Sequence, residues 1–136
     1  MTGVRFDLPT TDLETQPFWD GCKRGVFLLR HCNACGHDHY YPRPFCPACW
    51  SDDVAWKEAS GRATLYTYSV VHVNDLPPFN ERVPYVAAIV ELDEGPRVMT
   101  NVEGTVFEDL HVGMALVVED KALSDDVTIS VFRAAR

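Results

Sequence analysis

Apolar and polar positions divide the chain near Ser60-Gly61 into two parts with different patterns. After this point Thr, Tyr and Val recur with a partial period of two, which is typical of half-buried strands. Turn residues, chiefly Gly, Pro, Asn and Asp, separate these runs, and no helical spacing intervenes. The pattern predicts five strands: 62–73, 85–92, 97–102, 115–119 and 127–132.

Five short strands without helices between them favour a closed barrel, because closure removes the edges that an open sheet of this size would expose. A five-stranded Greek-key barrel of the OB type is the most economical arrangement. A small sandwich is the alternative, and periodicity alone does not separate the two. The predicted fold class is mainly β, with an N-terminal helix and a cysteine-rich ribbon before the barrel.

Before residue 60, only the segment 15–24 has the spacing of an amphipathic helix. Thr15 suits the cap, Pro17 suits the first turn, and Gly25 suits a left-handed stop after the last turn. Short strands are predicted on either side of a loop or short hairpin: strands 26–29 and 54–58, and loop 37–44.

Four of the five cysteines form two pairs, Cys32-x-x-Cys35 and Cys46-x-x-Cys49, with ten residues between them. In a reducing compartment such pairs indicate metal ligands rather than disulfides. Four thiolates complete the tetrahedral shell of Zn²⁺ and leave no open position, so we expect a structural zinc and not a catalytic one. Rubredoxin-like iron, a redox dithiol and disulfides remain the alternatives.

The residues around the cysteine pairs refine this expectation. Gly36 permits the backbone turn after the first pair, whereas Trp50 in the corresponding position predicts a less ideal second turn. Cys22 shares a helix face with Phe18, and we expect a buried, inert thiol there. Because four thiolates already satisfy the ion, we expect three nearby histidines at the surface or behind the ligands: His31, His37 and His39.

Composition and charge exclude several classes of protein. The 136 residues are 46% hydrophobic and carry a net charge of −8. Residues 1–60 contribute −2 (six Lys/Arg against eight Asp/Glu), and residues 61–136 contribute −6 (six against twelve). This balance argues against sequence-independent nucleic-acid binding, although Tyr66 and Tyr68 could form a stacking platform for bases on the barrel. We find no catalytic motif, no apolar run long enough for a membrane helix and no secretory signal, so a cytoplasmic location is the default.

The order of these features resembles the DUF35 family, in which a rubredoxin-like zinc ribbon is joined to an acyl-CoA-associated OB fold. The resemblance runs from about residue 15 to the C-terminus. It rests on a series of short motifs: Pro17-Phe18-Trp19-Asp20, Cys32-Asn33-Ala34-Cys35-Gly36, Pro42-Arg43-Pro44-Phe45-Cys46-Pro47-Ala48-Cys49, Ser60-Gly61-Arg62, Pro84-Tyr85-Val86, Glu94-Gly95-Pro96-Arg97, Val112-Gly113-Met114 and Phe132.

The resemblance implies an N-terminal segment and helix at 1–25, a zinc ribbon at 26–60 and an OB-fold domain at 61–136. It also implies an accessory subunit without activity of its own. Family members pair with thiolase-like proteins, including lipid-transfer-protein-type thiolases and aldolases, or with MaoC-like hydratases acting on acyl-CoA, some in steroid side-chain degradation. A nucleic-acid-binding or transcription-associated module is the alternative function.

An accessory subunit needs a surface for its partner, and aromatic and Arg side chains are the usual anchors. Phe18, Trp19, Tyr41 and Arg43 are the candidates for binding a partner or CoA. Phe18 and Trp19 are equally compatible with packing the helix onto the barrel. Arg43, on a Pro-flanked loop, is the better candidate for the phosphates of CoA.

Overall fold

The computed structural model describes residues 7–135. One helix, α1, precedes eight strands, and short 3-10 turns follow β4 and β6 at Phe79–Glu81 and Phe107–Asp109. The elements are α1 Gln16–Lys23, β1 Leu28–Cys32, β2 Asp38–His39, β3 Val54–Glu58, β4 Arg62–Val71, β5 Tyr85–Leu92, β6 Arg97–Val102, β7 Ala115–Ala122 and β8 Thr128–Ala134.

The first three strands form a small antiparallel sheet in the order β2-β1-β3. β1 pairs with β3 along its whole length, from Leu28 opposite Glu58 to Cys32 opposite Val54. β2 adds only two residues on the other side of β1. We call residues 28–58 the ribbon.

The last five strands form a closed barrel in the order β4-β5-β6-β8-β7. Neighbours in the barrel are antiparallel except β6 and β8, which meet in parallel where Val102 lies opposite Phe132. Burial alternates along β5, so one face of each strand fills the interior. The mainly β fold class and the OB-type barrel are confirmed.

Apolar packing unites the helix, the first ribbon strand and the barrel. Phe18 and Cys22 of α1 and Leu28 and Leu29 of β1 belong to the same buried cluster as Phe132 of the barrel. The apolar residues of α1 and of the start of β1 therefore extend the barrel core instead of forming a separate one. Among residues 7–135, no helix has the length and apolar character needed to cross a membrane.

Several element boundaries differ from the sequence-based prediction for identifiable reasons. The first strand begins at Leu28 instead of residue 26, because Leu28 is the first residue with a partner in β3. At the helix start, the Thr15 hydroxyl caps no backbone amide of α1; it accepts the Trp19 indole N–H (3.1 Å) and the Asp12 amide (3.2 Å) instead. Gly25 adopts the left-handed conformation expected of it (φ +77°). β7 extends to Ala122, because β8 continues to pair with it.

Candidate metal centre and the seam beside it

The first cysteine turn, residues 32–37, is closed by backbone hydrogen bonds. The Gly36 amide donates to the Cys32 carbonyl (2.8 Å), and the Cys32 amide donates to the His37 carbonyl (2.9 Å). Gly36 is left-handed (φ +81°), as its position after the pair requires. The turn thereby directs the Cys35 amide toward the Cys32 sulfur (3.5 Å).

The second cysteine turn, residues 46–51, repeats this hydrogen-bond pattern. The Trp50 amide donates to the Cys46 carbonyl and the Cys46 amide donates to the Ser51 carbonyl, both at 2.8 Å. The Ala48 amide points at the Cys46 sulfur (3.3 Å). Trp50 itself is left-handed (φ +67°) and is the one non-glycine residue in this conformation among residues 7–135. The second turn therefore has the geometry of the first, with a bulky residue in the position that favours glycine.

The two turns bring their four sulfurs together. Cys32 Sγ lies 3.6 Å from Cys49 Sγ, Cys35 Sγ lies 3.6 Å from Cys46 Sγ, and all four lie within 4.8 Å of one another. A disulfide would need about 2.05 Å, and all four thiols are free. Tetrahedral zinc with bonds of about 2.3 Å separates its sulfurs by about 3.8 Å. Donor type, number and spacing thus fit a tetrathiolate zinc site.

Backbone amides favour the thiolate form on one sulfur of each turn. A hydrogen bond from the Cys35 amide lowers the pKa of Cys32 below its usual value. Burial opposes ionisation of Cys46, but the Cys49 and Ala48 amides outweigh it and lower the pKa of Cys46 to about 7. Because a thiolate is the form that binds metal, each turn supplies one sulfur that is prepared for it.

Strand pairing fixes the distance between the turns. Cys32 ends β1 directly opposite Val54, the first residue of β3. Beside this pair, the Asn33 amide donates to the Asp53 carbonyl (2.9 Å), and the Asn33 side chain donates to the Asp53 carboxylate (3.1 Å). These contacts hold the chain leaving the second turn against the first turn.

Aromatic rings fill the contact between α1, the ribbon and the barrel, which we call the seam. Phe18 is buried, and its ring packs edge-on against Trp19, Phe27 and Tyr40 at 5.1–5.6 Å. Phe27 also contacts Phe132 in the barrel interior (6.2 Å). Of the two roles that the sequence left open for Phe18, the structure places it in the core and not at the surface.

The other candidates for binding a partner or CoA lie nearer the surface. Trp19 is half-buried, Arg43 is exposed, and Tyr41 is 56% exposed with its ring against Tyr40 (4.5 Å). Trp50, which was not among the candidates, is 74% exposed and stacks on Phe45 (5.2 Å). A large aromatic ring directly after a cysteine pair was the sequence signal for it.

The three histidines near the cysteines have different environments. The His31 ring contacts the Asp38 carboxylate at the ribbon surface (2.5 Å), and His37 is exposed. His39 is only 7% exposed, and neither of its ring nitrogens has a hydrogen-bond partner. Within residues 7–135, the group that could hold a metal consists of the four cysteines alone. The burial of His39 was not predicted.

Three further residues that the sequence suggested as functional candidates make contacts within the fold: Cys22, Tyr66 and Tyr68. Cys22 is buried, and its sulfur lies 3.3 Å from the Ser130 hydroxyl of β8, so burial raises the pKa of the thiol. Tyr68 donates its hydroxyl to the Leu110 carbonyl (3.2 Å). The Arg97 guanidinium covers the ring of Tyr66 (3.9 Å). The two tyrosines therefore do not present a shared open face.

Comparison with protein families divides the chain at residue 55. Residues 19–55 match the ChsH2 rubredoxin-like zinc ribbon domain, and residues 56–119 match the ChsH2 C-terminal OB-fold domain. The chain is also similar to a DUF35 domain-containing scaffold protein of Methanocaldococcus jannaschii, with 34% identity over 79% of this chain and 77% of that protein.

Longer relatives carry enzyme names. A probable enoyl-CoA hydratase alpha subunit of Thermomonospora curvata is 36% identical over 87% of this chain. A 3-oxo-4,17-pregnadiene-20-carboxyl-CoA hydratase alpha subunit of Mycobacterium tuberculosis is 30% identical over 78% of this chain. The chain spans only 37% and 33% of the lengths of these two subunits.

A solved structure shares almost the whole fold. A chain of the "Ltp2-ChsH2(DUF35) aldolase" superposes with a TM-score of 0.84 and 33% identity. The match covers 94% of this chain and 99% of that chain. The similarity thus includes the helix, the ribbon and the barrel.

Proposed function

We propose a function from a premise that the comparisons establish: this chain belongs to the DUF35 family, which joins a rubredoxin-like zinc ribbon to an OB-fold domain. On this premise the chain is a non-catalytic accessory subunit of an enzyme that acts on acyl-CoA thioesters. Its catalytic partner is a thiolase-like protein of the lipid-transfer-protein type, acting as a thiolase or aldolase. The steroid-type substrate in one relative's name supports lipid or steroid side-chain degradation as the setting.

One observation carries the proposal. The similar solved chain belongs to an aldolase whose name joins two components, and this chain covers 99% of that DUF35-type chain. Everything that the related chain contains therefore has a counterpart here. The names of the hydratase alpha subunits favour a second candidate partner, a MaoC-like hydratase.

The site chemistry is consistent with an accessory role. A tetrathiolate shell offers no open position for a substrate oxygen or a water molecule. Metal bound there would stabilise the two cysteine turns and the surface that they carry. Residues 1–60, which include the two cysteine turns, bear a net charge of −2, against −6 for residues 61–136. An acidic partner subunit is therefore repelled less strongly by residues 1–60 than by the barrel.

The proposed docking surface consists of three exposed ribbon residues and one half-buried residue of α1: Tyr41, Arg43, Trp50 and Trp19. Phe18 is not included because it is buried. Large aromatic and Arg side chains contribute most of the energy at protein interfaces when a partner buries them. Tyr41 and Trp50 are mostly exposed in the single chain, so each has area left to bury.

Co-purification tests the proposal. The tagged full chain, expressed in its native source, should retain a thiolase-like or hydratase subunit at a fixed stoichiometry. Tyr41→Ala and Trp50→Ala should weaken this complex about tenfold or more while leaving metal content unchanged. Tyr66→Ala, which removes a similarly exposed tyrosine from the barrel, is the matched control and should not weaken it.

Two results would contradict the proposal. The first is recovery of nucleic acid, and no acyl-CoA enzyme, with the wild-type chain. The second, which would contradict the docking surface alone, is equal retention of the partner by wild type, Tyr41→Ala and Trp50→Ala.

A further inference from the structure

The second half of β4 has an unpaired edge. β4 pairs with β5 on one side, and this pairing continues to the end of the strand. On its other side β4 pairs with β7 only over residues 62–64, and the Gly113 amide then donates to the Leu65 carbonyl (2.8 Å). Within residues 7–135, no backbone hydrogen bond continues this side over residues 66–71. We call residues 66–71 the β4 edge.

The β4 edge is long enough to pair with a further strand. At about 3.3 Å per residue it extends over about 20 Å. Every second residue turns its N–H and C=O away from β5, which leaves roughly six backbone groups without a partner strand. Such a row of groups binds the backbone of another extended chain, since the complementary groups of that chain repeat with the same spacing.

The β4 edge lacks the features that normally prevent an exposed edge from pairing. Residues 66–73 include no Lys, Arg, Asp, Glu or Pro. The outer strand of the ribbon sheet differs in this respect, because β3 ends with Lys57 and Glu58. Charged side chains on an edge oppose the approach of another strand. The composition of the β4 edge is therefore that of a strand covered by another chain.

Apolar side chains are exposed near both ends of the β4 edge. Val112 lies in the turn that bonds to β4 just before the edge begins, and it is 65% exposed. Val73, just beyond the other end, is 78% exposed. Tyr68 and Val70 of the edge itself pack against the core. A strand added to the edge therefore has an exposed apolar residue near each of its ends.

The carboxylates near the β4 edge are unpaired. Glu108 and Asp109 lead into Leu110, whose carbonyl accepts a hydrogen bond from the Tyr68 hydroxyl (3.2 Å). Asp75 follows the other end of the edge. Within residues 7–135, none of these three carboxylates forms an ion pair. This arrangement favours an added strand with positive charges at its ends.

A second copy of the chain fits this edge less well. It would bring the same unpaired carboxylates to the edge, and residues 61–136 of each copy carry a charge of −6. Arg97, which covers the Tyr66 ring (3.9 Å), does not balance them, because Glu91 lies 3.7 Å from its Nε.

We propose that the β4 edge binds an extended segment of another protein, which adds to the barrel as a strand and carries Lys or Arg near its ends. Backbone hydrogen bonds hold the segment in place, Val112 and Val73 contact its apolar side chains, and the unpaired carboxylates attract its basic ends. This site lies on the barrel, apart from the docking surface on the ribbon and α1. The inference goes beyond the accessory role and does not depend on which enzyme is the catalytic partner.

Fluorescence anisotropy with the metal-loaded full chain tests the inference. The probe is a labelled short peptide that alternates Val and Thr between terminal Lys residues. We expect it to bind and to protect the amides of residues 66–71 from hydrogen exchange. The same peptide with N-methylated backbone amides should bind about tenfold more weakly or worse, because it has lost its backbone donors. A peptide with terminal Glu residues should also bind more weakly than the Lys peptide.

Two variants of β4 provide a matched comparison. Thr67→Lys places a charge on the unpaired edge and should weaken binding of the Lys peptide about tenfold or more. Thr64→Lys, at an equally exposed threonine whose edge is already paired with β7, is the control and should leave binding unchanged.

Several results would overturn the inference. They are no binding of the Lys peptide to the wild-type chain, equal binding of the N-methylated peptide, tighter binding of the Glu peptide, and equal binding losses in the two Lys variants. A dimer that forms as the chain concentration rises and excludes the peptide would assign the edge to a second copy and contradict the proposal. Because these measurements use no partner enzyme, their failure leaves the accessory role standing, and failure of co-purification leaves the β4 edge standing.

Discussion

The ribbon and the barrel are both small β-structures, but different forces hold them together. Between residues 33 and 60 only His39 and Cys46 are buried, so this part of the ribbon has almost no apolar core. The barrel buries a continuous set of apolar side chains, with Leu65, Val90 and Phe132 completely inaccessible. We therefore expect the ribbon's shape to depend on metal bound by its four sulfurs, whereas the burial of apolar side chains is the main source of the barrel's stability.

Loss of one sulfur should produce the largest effect, and it should affect only the ribbon. Cys46→Ser removes the buried sulfur of the second turn, and a structural zinc site contributes about 10–16 kcal/mol to the folding of small zinc domains. We expect zinc content to fall and the amides of residues 33–58 to lose protection from hydrogen exchange. The barrel amides should remain protected.

Cys22→Ala is the control for this comparison, because it removes a buried thiol that lies outside the cluster. It should keep one zinc per chain. A Cys46→Ser chain whose ribbon amides stay protected without metal would show that the ribbon folds by itself.

A cavity in the barrel core should produce the next largest effect and spare the metal. Phe132→Ala removes a fully buried ring that also contacts Phe27 at the seam, and such truncations cost about 3–5 kcal/mol. Urea unfolding followed by circular dichroism measures the loss, and elemental analysis should still find zinc in the folded variant. Val112→Ala, at an exposed position, should change the free energy of unfolding by less than about 0.5 kcal/mol. A loss for Phe132→Ala as small as this control would contradict the assigned core.

Backbone strain in the two cysteine turns should produce an intermediate effect of about 1 kcal/mol. Gly36 and Trp50 occupy equivalent left-handed positions, and a Cβ at Gly36 would meet nothing within 4 Å. Gly36→Ala should therefore lower the melting temperature through backbone strain alone.

At the other turn, Trp50→Gly should be more stable than Trp50→Ala by about 1 kcal/mol, the reverse of the usual order for Gly and Ala. If Trp50→Ala were instead more stable than Trp50→Gly, the result would show that residue 50 is not left-handed in solution.

Charge effects should be the smallest and should have opposite signs in the two regions. Burial alone would raise the pKa of Asp38, but hydrogen bonds from Lys57 and His31 lower it below its usual value. Burial, together with the neighbouring Glu119, raises the pKa of Asp120 on β7. At pH 7 we expect Asp38→Asn to destabilise the chain and Asp120→Asn to leave it unchanged or stabilise it, each by less than about 1 kcal/mol.

The pH dependence of these two variants follows from the sign of each shift. A lowered pKa stabilises the fold above the unfolded pKa of about 3.9, and this contribution disappears as pH falls through the folded pKa. A raised pKa destabilises the fold at pH 7, and the penalty shrinks as pH falls from the folded pKa toward 3.9. Melting temperatures at pH 7 and pH 5 should therefore show the Asp120→Asn difference narrowing and the Asp38→Asn difference unchanged. A difference in melting temperature between wild type and Asp120→Asn that is the same at pH 7 and pH 5 would contradict this assignment.

Sequence reasoning succeeded where a residue's environment is set locally. The strands at 54–58, 85–92 and 97–102 were predicted with the bounds that the structure has, because alternation and flanking turn residues define them. The left-handed Gly25 was also predicted correctly. The burial of Cys22 was predicted from the apolar face of its helix, although β8 of the barrel completes its surroundings. The juxtaposition of the four cysteine sulfurs follows from two local turns and one strand pair.

Features that depend on contacts distant in sequence were not predictable in this way. Burial of Phe18 requires Phe27, Tyr40 and the barrel to surround it. His39 lines one cavity together with Pro96 and Arg97, which are distant from it in the sequence. The short 3-10 turn at Phe107–Asp109 was missed because one turn of helix has no periodicity to detect.

The accessory role is the central claim, and turnover of an acyl-CoA substrate tests it most directly. The measurement compares three samples at equal concentration: the metal-loaded chain alone, the co-purified catalytic partner alone, and the two together. We predict no thiolysis, retro-aldol cleavage or hydration by the chain alone, and faster turnover by the mixture than by the partner alone. Turnover by the chain alone, or a partner whose rate is the same with and without it, would contradict the account.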